Sequence, residues 1–217
     1  VPQDIQDLIR LMGGRDPFVE RLNHAFEQTE AMDFYAPKPE LRRDEAYVNY
    51  GNEPGRYVAH LFNHAGAPWL AQKWARRVRE RTFGSVEPLG FCEDDDQGKA
   101  AATSALLALG LFDLRGGAAR DPVYEIMSPV FDRITIHLDR RFYGGDAFVI
   151  ETCRNSDDNV YIQSAQLNGE PLERPWIRHR DAVAGAHLVL TLGPEPNRDW
   201  GSRPEDAPPS MTSEGEG

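Results

Sequence analysis

Four consecutive acids, Glu93-Asp94-Asp95-Asp96, stand between Cys92 and Gln97-Gly98. Crowded carboxylates repel one another, which raises the pKa of one while a neighbour stays ionised. That suits a general base that takes a proton from water. Carboxylates two positions apart on an extended loop also supply the hard oxygen donors that Ca²⁺ takes. The run reads equally well as a solvated loop whose acids favour the positive N-terminus of the next helix. It is not an EF-hand, because the spaced ligands, central Gly and terminal Glu are not found in order. A second polar loop, Tyr50-Gly51-Asn52-Glu53-Pro54-Gly55, brackets an Asn-Glu pair just before a helix. It can aim both side chains away from the helix axis, or be a plain turn with Glu53 set against the helix dipole.

Other chemistry is sparse. His60 and His64 are spaced i, i+4 without a third nearby ligand, so they read as core or surface residues rather than a metal site. Trp69, Trp74 and Trp176 are of the type that stacks on sugars, but Trp69 and Trp74 at helical spacing belong with the core. Cys92 and Cys153 are too few for a disulfide framework or a zinc site and read as two free thiols, or as a pair if they lie close in space. The formal net charge of -11 over 217 residues argues against nucleic-acid and anionic-membrane partners. A neutral sugar or a cation suits it better. No apolar run approaches the ~20 residues of a membrane span. The chain lacks an initiator Met and opens on Val1-Pro2-Gln3-Asp4 at a helix start, as a piece of a longer polypeptide would.

Helices must position both loops. Ile5, Leu8, Ile9 and Met12 follow the i, i+3, i+4, i+7 pattern, with Gly13-Gly14 as a stop. Asp16 reads as an N-cap with Pro17 at the first helical position, leading a face of Phe18, Val19, Leu22 and Phe26. A third helix carries Tyr57, Val58, Leu61 and Phe62 and stops near Gly66. A fourth runs from Pro68 to about Phe83 around Trp69, Leu70, Trp74 and Val78, and a fifth from about Gln97 to Leu109. After Gly116-Gly117 the period changes to two, over Val123–Met127, Arg133–Leu138, Ala147–Thr152, Val160–Leu167 and His187–Leu192. The spacing predicts an antiparallel β unit. The fold class is therefore mainly α then β, with helices over 1–115, the β unit over 116–193, and a Pro-rich, acidic tail over 194–217 expected to be disordered. Long loops between helices suit an α/α toroid, whose loops at one end of the ring build the site. The two unusual loops, Ala46–Gly55 and Gly84–Gly98, each precede a helix.

These residues, taken in order, resemble glycoside hydrolase family 92, the calcium-dependent exo-α-mannosidases. The resemblance runs from Val1 to about Gly201. It rests on Val1-Pro2-Gln3-Asp4, Leu8–Gly14, Gly51-Asn52-Glu53-Pro54, Leu61–Trp69, Ala108–Phe112, Ser128–Leu138, Asn159–Gly169 and Leu192–Gly201. It implies part of an (α/α)6 barrel, incomplete here, followed by the small antiparallel β unit. It implies hydrolysis, with inversion, of terminal α-mannosides of N-glycan type, with Ca²⁺ as cofactor and secretion as the localisation. The partners implied are a mannose-containing glycan and the remainder of the parent polypeptide. Inversion needs an acid and a separate base, ~6.5–9.5 Å apart.

By the resemblance, Asp96 is the base and Asp94 the supporting carboxylate. Asn52 and Glu53 match the pair that contacts the leaving sugar. The calcium ligands are not placed on this chain. The family's acid is a glutamate just before the Val-Pro motif, so it is expected upstream of Val1, and residues 1–217 alone are expected to be inactive. The chain departs from the family where "GQMSAWY" or "GQMGAWY" usually follows the acidic motif, reading Gly98-Lys99-Ala100-Ala101-Ala102-Thr103-Ser104 instead. A cation at Lys99 would depress the pKa of Asp96 and weaken it as a base. That departure leaves open an alternative, a non-catalytic carbohydrate-binding relative.

Overall fold

The computed structural model describes residues 2–34, 47–83 and 96–214. Helix α1 (Ile5–Leu11) starts at Asp4, whose carboxylate accepts the Asp7 N–H at 3.2 Å. It ends where Gly13 and Gly14 take φ of 99° and 105°. Helix α2 (Arg15–Glu30) begins at once, with Gly14 as its N-cap. The expected start at Asp16 is thus two residues late. Gly14 lets the backbone turn into the helix early, and Pro17 falls in the first turn, where a missing N–H costs no bond.

The expected third helix is split into a 3-10 turn (Val58–His60) that runs into the short α3 (Leu61–His64). Gly66, at φ 72°, then turns the chain toward α4 (Pro68–Thr82). Helix α4 buries Ala71, Trp74, Ala75 and Val78, while Trp69 and Leu70 are only partly covered. Trp74 stacks on Phe26 at 5.1 Å and gives its indole N–H to Asn23 at 2.8 Å. Helix α5 (Lys99–Leu109) closes on Gly110, where a Cβ would come 2.7 Å from the Pro129 nitrogen.

The strands form two sheets. Strands β1 (Leu111–Phe112), β2 (Val123–Ile126) and β7 (Trp176–Arg178) make a small antiparallel sheet in the order β1-β2-β7. Strands β3 (Arg133–His137), β4 (Ala147–Cys153), β5 (Tyr161–Leu167), β6 (Glu170–Pro171) and β8 (His187–Gly193) make the larger, ordered β3-β4-β8-β5-β6. Period-two burial is clear where Phe148 and Ile150 of β4 and Leu188, Leu190 and Leu192 of β8 belong to one core. The larger sheet is not wholly antiparallel, because β4 and β8 pair in parallel. The chain returns through α6 (His179–Val183) and enters β8 beside the start of β4. Gly145 and Gly185 meet there so closely that a Cβ on Gly145 would lie 2.3 Å from the Gly185 nitrogen.

Helices and sheets share contacts. Gln72 of α4 accepts the buried Ile162 N–H at 2.9 Å, and Arg76 donates to Ser128 Oγ at 3.0 Å and to Asn155. The segment after Gly193 departs from the expected disorder. Trp200 is 3% exposed in the sheet core and gives its indole N–H to Leu172 O at 2.7 Å. Trp176 gives its own to Asp206 O at 3.0 Å. Ser210 and Thr212, the latter in the short α7 (Met211–Glu214), donate to Asp4. Composition averaged over the segment hides one large anchor, and its prolines reduce the entropy lost on ordering. Residues 215–217 lie outside the described ones.

Candidate active site

The Asn52-Glu53 loop is built on buried parts. Tyr50 is fully buried, donates its N–H to Phe34 O at 2.8 Å, and accepts the Ala59 N–H on its hydroxyl at 3.1 Å. Burial raises its phenol pKa well above the usual value. The Gly51 N–H donates to Asn49 Oδ1 at 2.9 Å, and a Cβ on Gly55 would stand 1.9 Å from Asn49 O. Only glycine allows that approach. The result is a tight 3-10 turn, Glu53–Gly55, with Asn52 exposed and Glu53 half-buried. Asn52 lines an open groove of about 360 Å³ with Tyr47, Val48, Asn49, Pro54 and Val58.

Beneath the loop lies Arg56, 4% exposed. Its Nε donates to Tyr50 O at 3.2 Å, and Nη2 donates to Gly51 O at 3.4 Å and lies 3.8 Å from Glu53 Oε1. Nη1 has no partner among the described residues. Sequence reasoning passed over Arg56, because a lone arginine after a turn looks like a solvated charge.

Of the acidic run, Asp94 lies outside the described residues, as do Glu93, Asp95 and Cys92. The backbone of Asp96 opens a short turn, Asp96–Gly98, immediately ahead of α5. Gln97 and Gly98 both take left-handed φ, 57° and 76°, so the chain bends sharply there. Lys99 is exposed as the first residue of α5. The next residue, Ala100, is fully buried in the same core cluster as Tyr50 and Ala59. The two candidate loops therefore lead into helices that share one core. Among the described residues no group of three or more His, Cys, Asp or Glu could hold a metal ion. The described residues therefore do not by themselves form a carboxylate cluster for calcium.

His60 and His64 are core residues, one of the two placements that their spacing left open. They belong to a buried polar cluster that was not legible in the sequence. Glu125 of β2, 1% exposed, accepts from Asn63 Nδ2 at 3.0 Å and lies 3.1 Å from His64 Nε2. His60 stacks on Phe112 with ring centroids 4.0 Å apart, and neither of its ring nitrogens has a partner among the described residues. Burial pushes its pKa down to about 4, with Glu125 pulling up and His64 adding to the drop. A cavity of about 10 Å³ beside His64 and Glu125 is at the lower limit of the ~10–15 Å³ that one water needs. The one signal for this cluster was a carboxylate inside a short strand. Trp176 is not free to stack on a sugar, since it is 7% exposed and carries Arg174 over its ring at 4.3 Å. Cys153 is exposed at the end of β4.

Residues 1–194 match the model of a glycosyl hydrolase catalytic domain. The chain belongs to glycosyl hydrolase family 92. It is 34% identical over 212 residues to an uncharacterized secreted glycosidase of Arthroderma benhamiae, covering 97% of this chain and 24% of that protein. A family GH92 α-mannosidase from Bacteroides thetaiotaomicron in complex with mannoimidazole superposes with a TM-score of 0.81 at 25% identity, over 97% of this chain and 26% of that one. A family GH92 inverting mannosidase from Bacteroides thetaiotaomicron VPI-5482 gives 0.80 at 28% identity, over 98% and 29%. The chain spans about a quarter of the length of these relatives. Among the described residues, no helix is long and apolar enough to cross a membrane.

Proposed function

We propose that this chain is part of a secreted, inverting, calcium-dependent exo-α-mannosidase that releases terminal mannose from N-glycan-type mannosides. Its helices would complete an (α/α)6 barrel with the remainder of the parent polypeptide. The observation that carries the reading is the likeness, over 98% of this chain, to a mannosidase that itself inverts. In the reaction Asp96 takes the proton of the attacking water, and Asp94 orients that water or shares the proton. Asn52 and Glu53 hold hydroxyls of the leaving sugar. An acid from the rest of the parent protonates the leaving oxygen. Calcium, when bound, would aid the flattening of the sugar ring. The hard oxygen donors suited to it in the acidic run lie outside the described residues.

The test is mannose release from α-mannobioses by the whole parent protein, with the anomer formed followed by NMR. Release of β-mannose that stops with EDTA is the expected result, and activity unchanged by EDTA removes the calcium dependence. Asp96→Asn is expected to lower kcat by about 10²–10⁴ with folding intact, the usual loss for a general base. Turnover that survives this change overturns the assignment. The departure at Lys99 favours a rival reading, a carbohydrate-binding relative without turnover. That reading predicts mannoside binding with no release at any calcium level.

A further inference from the structure

We propose that Arg56 is a positioning residue, whose buried guanidinium fixes the Tyr50–Gly55 loop so that Asn52 and Glu53 present themselves to the leaving sugar. The inference rests on the proposed role of that pair. A buried cation is costly unless its surroundings compensate it. The compensation given by the described residues comes from the loop that carries Asn52 and Glu53. Two main-chain carbonyls, of Tyr50 and Gly51, turn inward onto Nε and Nη2, and the Glu53 carboxylate stands 3.8 Å from the same Nη2.

With its carbonyls drawn inward, the loop shows Asn52 to solvent and leaves Glu53 partly exposed beside it. Below, Tyr50 is pinned from both sides and Gly55 abuts Asn49, so the loop has little other freedom. The planar fork of arginine can serve both carbonyls and the carboxylate at once. Lysine brings the charge on a single nitrogen and cannot span them. Arg56, buried beneath the loop, acts through Asn52 and Glu53.

The test uses the whole parent protein with Arg56→Lys and Arg56→Gln, on two substrates. One is an α-mannobiose, which has a leaving sugar, and the other an aryl α-mannoside, which has none. A positioning role predicts that kcat/KM for the mannobiose falls by roughly tenfold or more, mostly through KM, while the aryl mannoside stays within about twofold. The ratio of the two rates on one preparation cancels any change in folded fraction. An equal fall on both substrates, no change on either, or failure of both variants to fold overturns the proposal. If the wild-type parent releases no mannose, the mannosidase reading falls, and calorimetric affinity for the mannobiose still judges Arg56. Weaker binding by Arg56→Lys then supports the role, while unchanged binding, or no binding by the wild type, overturns it.

Discussion

His60 makes stability depend on pH in a way that can be isolated. The ring is fully buried against Phe112, its nitrogens have no partner among the described residues, and its pKa is pushed from 6.5 to about 4. The native state therefore keeps His60 neutral where the unfolded chain protonates it. Above pH 6.5 neither state binds the proton and the stability is fully present. As pH falls from 6.5 toward 4, the unfolded state gains a proton that the folded state lacks, and stability drops. A gap from 6.5 to about 4, at about 1.4 kcal/mol per pH unit, corresponds to about 3 kcal/mol. His60→Phe keeps a flat ring for the stack and removes both unsatisfied nitrogens. Its pH-independent effect is expected to be small or stabilising, since no hydrogen bond among the described residues is lost. The measurement is the denaturant midpoint of wild type and His60→Phe between pH 4 and pH 7. The difference between them cancels carboxylate titrations common to both, and should widen by about 3 kcal/mol in favour of the variant toward pH 4. Parallel curves, or a loss above about 2 kcal/mol for the variant at pH 7, would refute the reasoning, because unpaired buried groups are not expected to contribute that much.

Two further outcomes follow from burial elsewhere. Glu125→Ala strands Asn63 and His64 inside the protein and is expected to cost about 1–3 kcal/mol for each polar group left unsatisfied. Glu125→Gln keeps an acceptor for Asn63 and should cost less in the same chemical unfolding assay. Trp200→Ala removes a 3%-exposed anchor and its bond to Leu172, and is expected to cost about 3–5 kcal/mol. It should also raise hydrogen exchange from Pro194 to Ser210, and unchanged protection there would show that the segment is held by other means.

What was legible in the sequence was local. Alternation placed β4 and β8 within a residue, since Phe148, Ile150, Leu188 and Leu190 face one core at every second position. Gly13-Gly14 marked a helix end because backbone with positive φ there stops the helical bonds. What failed was set by distant partners. The parallel pairing of β4 and β8 depends on the return through α6 and on two glycines far apart in sequence, which no short window contains. The bonds of Glu125 to Asn63 and His64 span about sixty residues, so each looked ordinary in its own segment. Arg56 was hidden for a different reason. Its acceptors are main-chain carbonyls, which carry no sequence signature. For the candidate site itself, motif resemblance singled out Asn52, Glu53, Asp94 and Asp96. The structure describes the loop of the first two and the backbone of Asp96, whereas Asp94 lies outside the described residues.

The bonds from Asp4 to Ser210 and Thr212, with Gln6 N–H donating to Ser210 Oγ at 3.2 Å, join positions separated by more than two hundred residues. Both hydroxyl donors hold the Asp4 carboxyl below the usual carboxylate range. Closing so long a loop gains little until the intervening chain is already compact, since its entropy must be offset first. The clasp is therefore a late event in folding. During synthesis Asp4 can cap α1 through the Asp7 N–H at once, but it must wait for more than two hundred further residues to emerge before its other two partners arrive.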